Sequence, residues 1–178
     1  MAAERFIYIV DDDPAIRRSL ERLMDAVGFQ VASYATPKAF LDVAGSLLGG
    51  CVLLDLRMPE MDGFEVHARL RSINPDLPVI VVTAQGDVQT AVRAMKAGAV
   101  DFIEKPYGDD ALIAAIESAL KTSAARGRTD DIAMAAELIN TLRPRERQVL
   151  EALVAGQQNK VIAFNLGISV RTVEVHRS

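Results

Sequence analysis

Five short, uninterrupted apolar runs, separated by stretches of helical spacing, constrain this chain more than any other feature. The runs are Phe6–Val10, a weaker one at 30–33, Cys51–Leu54, 78–82 and 100–103. They are continuous rather than alternating, the pattern of strands buried on both faces. Between them apolar residues recur at helical intervals. Ile16, Leu20, Leu23, Met24 and Val27 share one face, with Pro14 placed to start the helix and Gly28 to end it. Further helices are expected at Pro37–Ala44, 63–72, 87–96 and 109–121, with Gly98 closing the fourth. Strand and helix alternating five times imply an open parallel α/β sheet, doubly wound with helices on both faces. Right-handed crossovers then fix most of the topology.

The 178 residues leave room for a second, smaller module after this sheet. Charge separates the two. Residues 1–121 carry 18 acidic and 12 basic side chains, net −6, whereas 122–178 carry six and eight, net +2. Half the residues are hydrophobic and a quarter charged, a normal globular composition. No apolar run approaches the roughly 20 residues of a membrane span, and MAAERF lacks the regions of a signal peptide. The single cysteine, Cys51, lies in an apolar run and reads as a small buried hydrophobe in a reducing, cytoplasmic setting. His67 and His176 stand far apart with no cysteine partners, so no zinc site is expected.

The strand ends carry the chemistry. Asp11 and Asp12 follow the first strand, Asp55 the third, Thr83 the fourth and Lys105 the fifth. In an open α/β sheet the crevice beyond the carboxyl ends of the strands is the ligand site, so these five side chains can share one pocket. Three carboxylates there repel one another unless a cation joins them. Oxygen-only ligands suit a hard cation, above all Mg²⁺. Asp11 and Asp12 look like its ligands, and Asp55 like a nucleophile that forms an aspartyl phosphate. Mg²⁺ and Lys105 would neutralise charge on the transferred group, and the Thr83 hydroxyl could bond a phosphoryl oxygen. Asp13 is expected to point elsewhere and serve as a cap or turn former.

VDDDP, LLDLRMPEMDG, VIVVTA and GAVDFIEKP, in that order, resemble the receiver domain of two-component response regulators over about residues 4–121. The resemblance implies a flavodoxin-like fold, Asp55 as phosphoacceptor and a metal site of Asp11, Asp12, Asp55 and the Arg57 backbone carbonyl. It implies Phe102 as an aromatic switch that turns inward with Thr83. Met58-Pro59 and Gly63 would shape the loop after the phosphorylated strand.

Residues 122–129, TSAARGRT, have linker composition, and 130–142 a helical pattern with Asp130 or Asp131 as cap. From Leu142 short helical segments follow, broken at Gly156 and Gly167. The first begins at Pro144, with Val149, Leu150, Leu153 and Val154 as its apolar face. The second, Asn159–Leu166, turns Ile162, Ala163 and Leu166 inward. Ser169 caps the third, where Thr172 stands in place of the Glu of a capping box. Two short helices about a tight turn are a helix-turn-helix. LRPRERQVL, NKVIA and LGISVRTVEVH resemble the DNA-binding domain of NarL/LuxR-type regulators, FixJ-like subgroup.

By that match 170–178 is the recognition helix and Val173 faces the core. The match implies that Glu174, Val175 and Ser178 would face bases and that Lys160, Arg171, His176 and Arg177 would reach phosphates, with Thr172 on the same surface; His176 could equally be a packed surface residue. Arg143, Arg145 and Arg147 read as a solvated face or as ion-pair partners of Glu146 and Glu151. Val161 is apolar where the family often has an acidic residue. The family's fourth helix has no counterpart before Ser178, so weak or absent specific DNA binding is expected of the chain as it stands.

The domains expected are therefore a receiver at 1–121, a partly helical linker at 122–141 and a small all-α helix-turn-helix domain at 142–178. The implied function is transcription regulation in which a sensor histidine kinase phosphorylates Asp55, the receiver dimerises and promoter DNA is bound. One alternative is a signalling module that acts through protein contacts with a non-functional DNA-binding domain. Another is a Mg²⁺-dependent hydrolase using Asp55 covalently, but no second acid or base sits beside Asp55. Beyond weak self-dephosphorylation no enzymatic activity is expected.

Overall fold

The structure, a computed structural model, describes residues 5–175, and of residues 128, 130 and 131 the backbone alone. It contains two compact units, Met1–Arg126 and Gly127–Ser178. In the first, the strands β1 (Phe6–Val10), β2 (Gln30–Tyr34), β3 (Cys51–Leu54), β4 (Val79–Thr83) and β5 (Asp101–Glu104) form one sheet. Its order is β2-β1-β3-β4-β5, and every neighbouring pair is parallel. The helices between them are α1 (Pro14–Val27), α2 (Pro37–Ala44), α3 (Gly63–Ile73) and α4 (Val88–Lys96), and α5 (Asp109–Thr141) follows.

Each strand serves both faces, which is why the runs are continuous. Ile7, Ile9, Cys51, Leu53, Ile80 and Val82 pack with Leu20 and Met24 of α1 and Leu112 and Ile116 of α5. The alternate residues Tyr8, Val10, Val52 and Leu54 pack with Phe40 of α2 and Val66 and Leu70 of α3. Cys51 is fully buried, and burial pushes its thiol up to about 12, so it behaves as a core hydrophobe. The start of α1 is set by Asp13, whose carboxylate accepts from Ala15 N at 2.7 Å and Ile16 N at 3.4 Å, with Pro14 at the first helical position. Gly28, at φ 83°, ends it.

Some boundaries differ from expectation. β4 and β5 each begin and end one residue later than the apolar runs, which is within the fraying of strand ends. The larger difference is α5, which continues through 122–129 instead of breaking there. That stretch holds no proline, its alanines and arginines favour helix, and Gly127 alone costs only about 1 kcal/mol relative to alanine. Small, polar residues of this kind fit a helix as well as a linker. The caps expected at Asp130 or Asp131 rest on side chains outside the described residues.

The second unit contains α6 (Pro144–Val154), α7 (Asn159–Leu166) and α8 (Val170–Val175). Val149, Ile162, Ala163 and Val173 form its buried core, with Leu153, Leu166 and Ile168 packed beside them. Val154, expected to face inward, is 81% exposed. It is the last residue of α6, five positions after Val149 and so far round the helix from it. Glu146 accepts from Arg143 N at 2.8 Å. Arg145 donates to Gln148 Oε1 and to the Leu166 carbonyl, and Arg147 donates to Asn140, so these arginines hold neutral oxygens rather than Glu146 or Glu151. Among the described residues no helix is long and apolar enough to cross a membrane.

Candidate functional site

The winding of the sheet reverses between β1 and β3, and the crevice beyond their carboxyl ends holds the acidic pocket. Main-chain pairing delivers the site residues there. The sheet bonding extends one residue beyond the strands, from Asp11 N to Tyr34 O at 3.3 Å and from Asp55 N to Val10 O at 3.0 Å. Lys105 N donates to Thr83 O at 2.9 Å. Gly63 lets α3 start against this loop: a Cβ there would lie 2.3 Å from the Asp55 carbonyl oxygen, so no other residue fits without moving the backbone.

Asp11, Asp55 and Thr83 are buried and Asp12 is exposed. Lys105 Nζ donates to Asp11 Oδ2 at 2.6 Å and lies 3.7 Å from Asp55 Oδ2. Arg57 N donates to Asp55 Oδ1 at 3.3 Å. Asp13 N donates to Asp11 Oδ1 at 2.9 Å, and Arg17 Nη1 to the Asp11 carbonyl at 2.7 Å. Burial pushes the Asp55 carboxyl above the ordinary aspartate range. Lys105 opposes that, Asp11 adds to it, and the Arg57 N–H and Thr83 hydroxyl oppose it. The Tyr107 phenol is likewise raised, first by burial and then by Asp11 and Asp109.

Three carboxylates against one ammonium leave the pocket with surplus negative charge. One oxygen from each of Asp11, Asp12 and Asp55 falls within 4.8 Å of the others. An all-oxygen donor set of this kind fits a hard divalent cation. The five residues expected at the strand ends are thus brought together. Phe102 lies nearby, half-buried against Leu56, Val81, Ala94 and Ala99. Two participants carried no sequence signal. One is Arg17 on α1. The other is Gln85, whose N–H donates to Thr83 Oγ1 at 3.3 Å and whose Oε1 accepts from Arg57 Nε at 2.9 Å.

In the second unit α7 and α8 flank Gly167, at φ 63°, and Ser169 Oγ accepts from Thr172 N at 3.0 Å to cap α8. Val173 is buried, Lys160, Arg171, Glu174 and Val175 are exposed, and Thr172 is half-buried. Lys160, Val170 and Glu174 line an open recess of about 660 Å³. His176, Arg177 and Ser178 lie outside the described residues.

Sheet order, helix placement and the acidic pocket at the strand ends define the flavodoxin-like class of α/β proteins. Residues 7–117 match the response regulator receiver domain, and residues 140–178 match the bacterial regulatory proteins of the luxR family. The chain is 45% identical over 179 residues to the transcriptional regulatory protein FixJ of Bradyrhizobium diazoefficiens, covering 100% of this chain and 87% of that one. The structure of the response regulator StyR is similar at a TM-score of 0.72 and 39% identity, over 98% of this chain and 89% of StyR. Full-length FixJ from B. japonicum is similar at a TM-score of 0.66 and 45% identity, over 99% and 87% of the two chains. This chain belongs to the response regulators, with a receiver domain followed by a LuxR-type DNA-binding domain. That is the architecture of transcription regulation under phosphorylation control.

Proposed function

We propose that Asp55 is the phosphoacceptor of this regulator and that a sensor histidine kinase is the donor. An Asp55 carboxylate oxygen attacks phosphorus, the O–P bond forms as the P–N bond of the kinase phosphohistidine breaks, and the imidazole leaves. The observation that carries this reading is Lys105, whose ammonium lies between Asp11 and Asp55 at 2.6 and 3.7 Å. It is held by Asp11 and is within reach of whatever oxygen Asp55 gains. Asp11, Asp12, Asp55 and the Arg57 backbone carbonyl are the groups that would hold Mg²⁺. Bound there, Mg²⁺ supplies charge neutralisation to the phosphoryl oxygens. The buried Thr83 hydroxyl turns toward a phosphoryl oxygen, and Phe102 follows it inward.

That movement reshapes the surface of α4 and β5, where the receiver pairs with a second copy, a two-state population shift. Promoter DNA is then the partner of the helix-turn-helix unit, through Lys160 on α7, through Arg171, Thr172, Glu174 and Val175 on α8, and through Arg177 and Ser178 that follow in the sequence. Water slowly releases the phosphoryl group, so weak self-dephosphorylation is the only turnover. The test is the intact mass after incubation with Mg²⁺ and a small acyl phosphate. One added phosphoryl group in the wild type and none in Asp55→Asn is expected. No added mass in a folded, Mg²⁺-binding wild type would remove the kinase from this scheme.

A further inference from the structure

We propose that Arg17 is a positioning residue of the acidic pocket: by holding the Asp11 carbonyl it aims the Asp12 carboxylate at the cation. This rests on the reading above, in which the pocket takes Mg²⁺.

Asp11 is held at every polar atom. Its N–H donates to Tyr34 O at 3.3 Å, Oδ1 accepts from Asp13 N at 2.9 Å and Oδ2 from Lys105 Nζ at 2.6 Å. The remaining atom, the carbonyl oxygen, accepts from Arg17 Nη1 at 2.7 Å. That carbonyl belongs to the planar peptide joining Asp11 to Asp12, so turning the plane swings the Asp12 side chain. Asp12 is exposed, and among the described residues its carboxylate has no hydrogen-bond or ion-pair partner. Its direction is therefore set by its backbone. Arg17 is itself anchored, half-buried in the first turn of α1, where its own N–H donates to Asp13 O at 3.0 Å. Arg18, the next residue, is exposed and makes no hydrogen bond or ion pair among the described residues.

A positive charge near three carboxylates also repels a divalent cation. The two effects differ in sign, which makes the role testable. Removing a mere charge tightens Mg²⁺ binding, whereas removing a positioning bond weakens it. Arg18→Met removes a charge from the same helix without the bond, and Arg17→Lys keeps the charge with a shorter donor.

The experiment is calorimetric Mg²⁺ titration of the full chain, together with the Mg²⁺ dependence of phosphorylation by a small acyl phosphate. Arg17→Met is expected to raise the Mg²⁺ dissociation constant about 10-fold, in the range known for groups that orient metal ligands. Arg17→Lys is expected to fall between it and the wild type, and Arg18→Met to bind as tightly as the wild type or more so. The Mg²⁺ concentration for half-maximal phosphorylation is expected to rise by the same factor, with the rate at saturating Mg²⁺ within about two-fold of wild type. A folded Arg17→Met that binds Mg²⁺ as well as the wild type overturns the inference. Should that variant not fold, an Arg17→Lys with wild-type affinity overturns it equally. Wild-type binding lost in Asp12→Asn but kept in the Arg17 variants sinks this inference alone. A wild type that binds no Mg²⁺ sinks the Mg²⁺ reading with it.

Discussion

Arg57 Nε donates to Gln85 Oε1 at 2.9 Å, tying the loop after β3 to the loop after β4. Both ends of this strap are anchored in the site, since Arg57 N donates to Asp55 Oδ1 and Gln85 N to Thr83 Oγ1. A strap of this kind restrains both loops that border Asp55, and with them the access of water to a phosphoryl group there. Gln85→Ala is expected to speed loss of that group roughly three-fold, equivalent to about 0.7 kcal/mol and within the net worth of one hydrogen bond. Arg57→Ala should do the same, and the double variant should be no faster than either single one. Decay of the phosphorylated mass with time measures all three. Independent, multiplying effects of the two substitutions would mean that the strap is not a unit.

Asp55 makes stability depend on pH in a direction opposite to most aspartates. Burial holds its carboxyl above the ordinary aspartate range, so the folded protein keeps this proton longer than the unfolded chain does. The group's contribution is fully present below about pH 4. It is lost as pH rises through the raised folded value. At neutral pH the ionised Asp55 therefore destabilises the receiver, and Asp55→Asn should melt higher than the wild type without divalent cation. Each kcal/mol relieved corresponds to a gain of roughly 4 °C. The gap should close as pH falls toward 4. Added Mg²⁺ should raise the wild type more than the variant by mass action. An Asp55→Asn that melts below the wild type at pH 7 would contradict this balance.

His67 titrates in the other sense. It is 2% exposed on α3, and its Nε2 has no hydrogen-bond partner among the described residues. Burial, and then the Arg71 guanidinium one turn on, hold its imidazole below the ordinary histidine value. The folded state thus favours neutral His67. Its contribution is complete above about pH 6.5. It is lost as pH falls below that toward the depressed folded value. His67→Leu should flatten this acid-side loss in urea unfolding at pH 7.5 and 5.5. An unpartnered buried polar atom carries a penalty of about 1–3 kcal/mol, so the variant should also gain stability at pH 5.5. Equal pH slopes in variant and wild type would show that His67 is not held neutral.

These cases mark where the sequence is legible. Asp11, Asp12, Asp55, Thr83 and Lys105 could be found because each ends an apolar run, and parallel topology brings run ends together whatever their side chains. Asp13 was readable as a cap for the same local reason. Arg17, Gln85 and His67 act through the reach of a long side chain or through burial on a helix face, and neither leaves a periodic trace. The continuity of α5 past Lys121 was illegible for another reason. TSAARGRT suits a loop or a helix about equally, and a single glycine does not decide between them.

The second unit has little core to lose. Among the described residues only Val149, Ile162, Ala163 and Val173 are buried in its central cluster, and Ile162 on α7 is the largest side chain fully enclosed there. A buried Ile→Ala change costs about 2–5 kcal/mol, comparable to the whole stability of a domain this small. Ile162→Ala is therefore expected to unfold the helix-turn-helix unit while the receiver, whose core lies in Met1–Arg126, keeps its own transition. Limited proteolysis should cut within the second unit and leave the receiver intact. The variant should still accept one phosphoryl group on Asp55 while losing any DNA binding. Phe164→Ala on the same helix, where the ring is 87% exposed, removes more atoms but little buried area and should leave both transitions unchanged. Loss of the receiver transition in Ile162→Ala would mean that the two units do not fold independently.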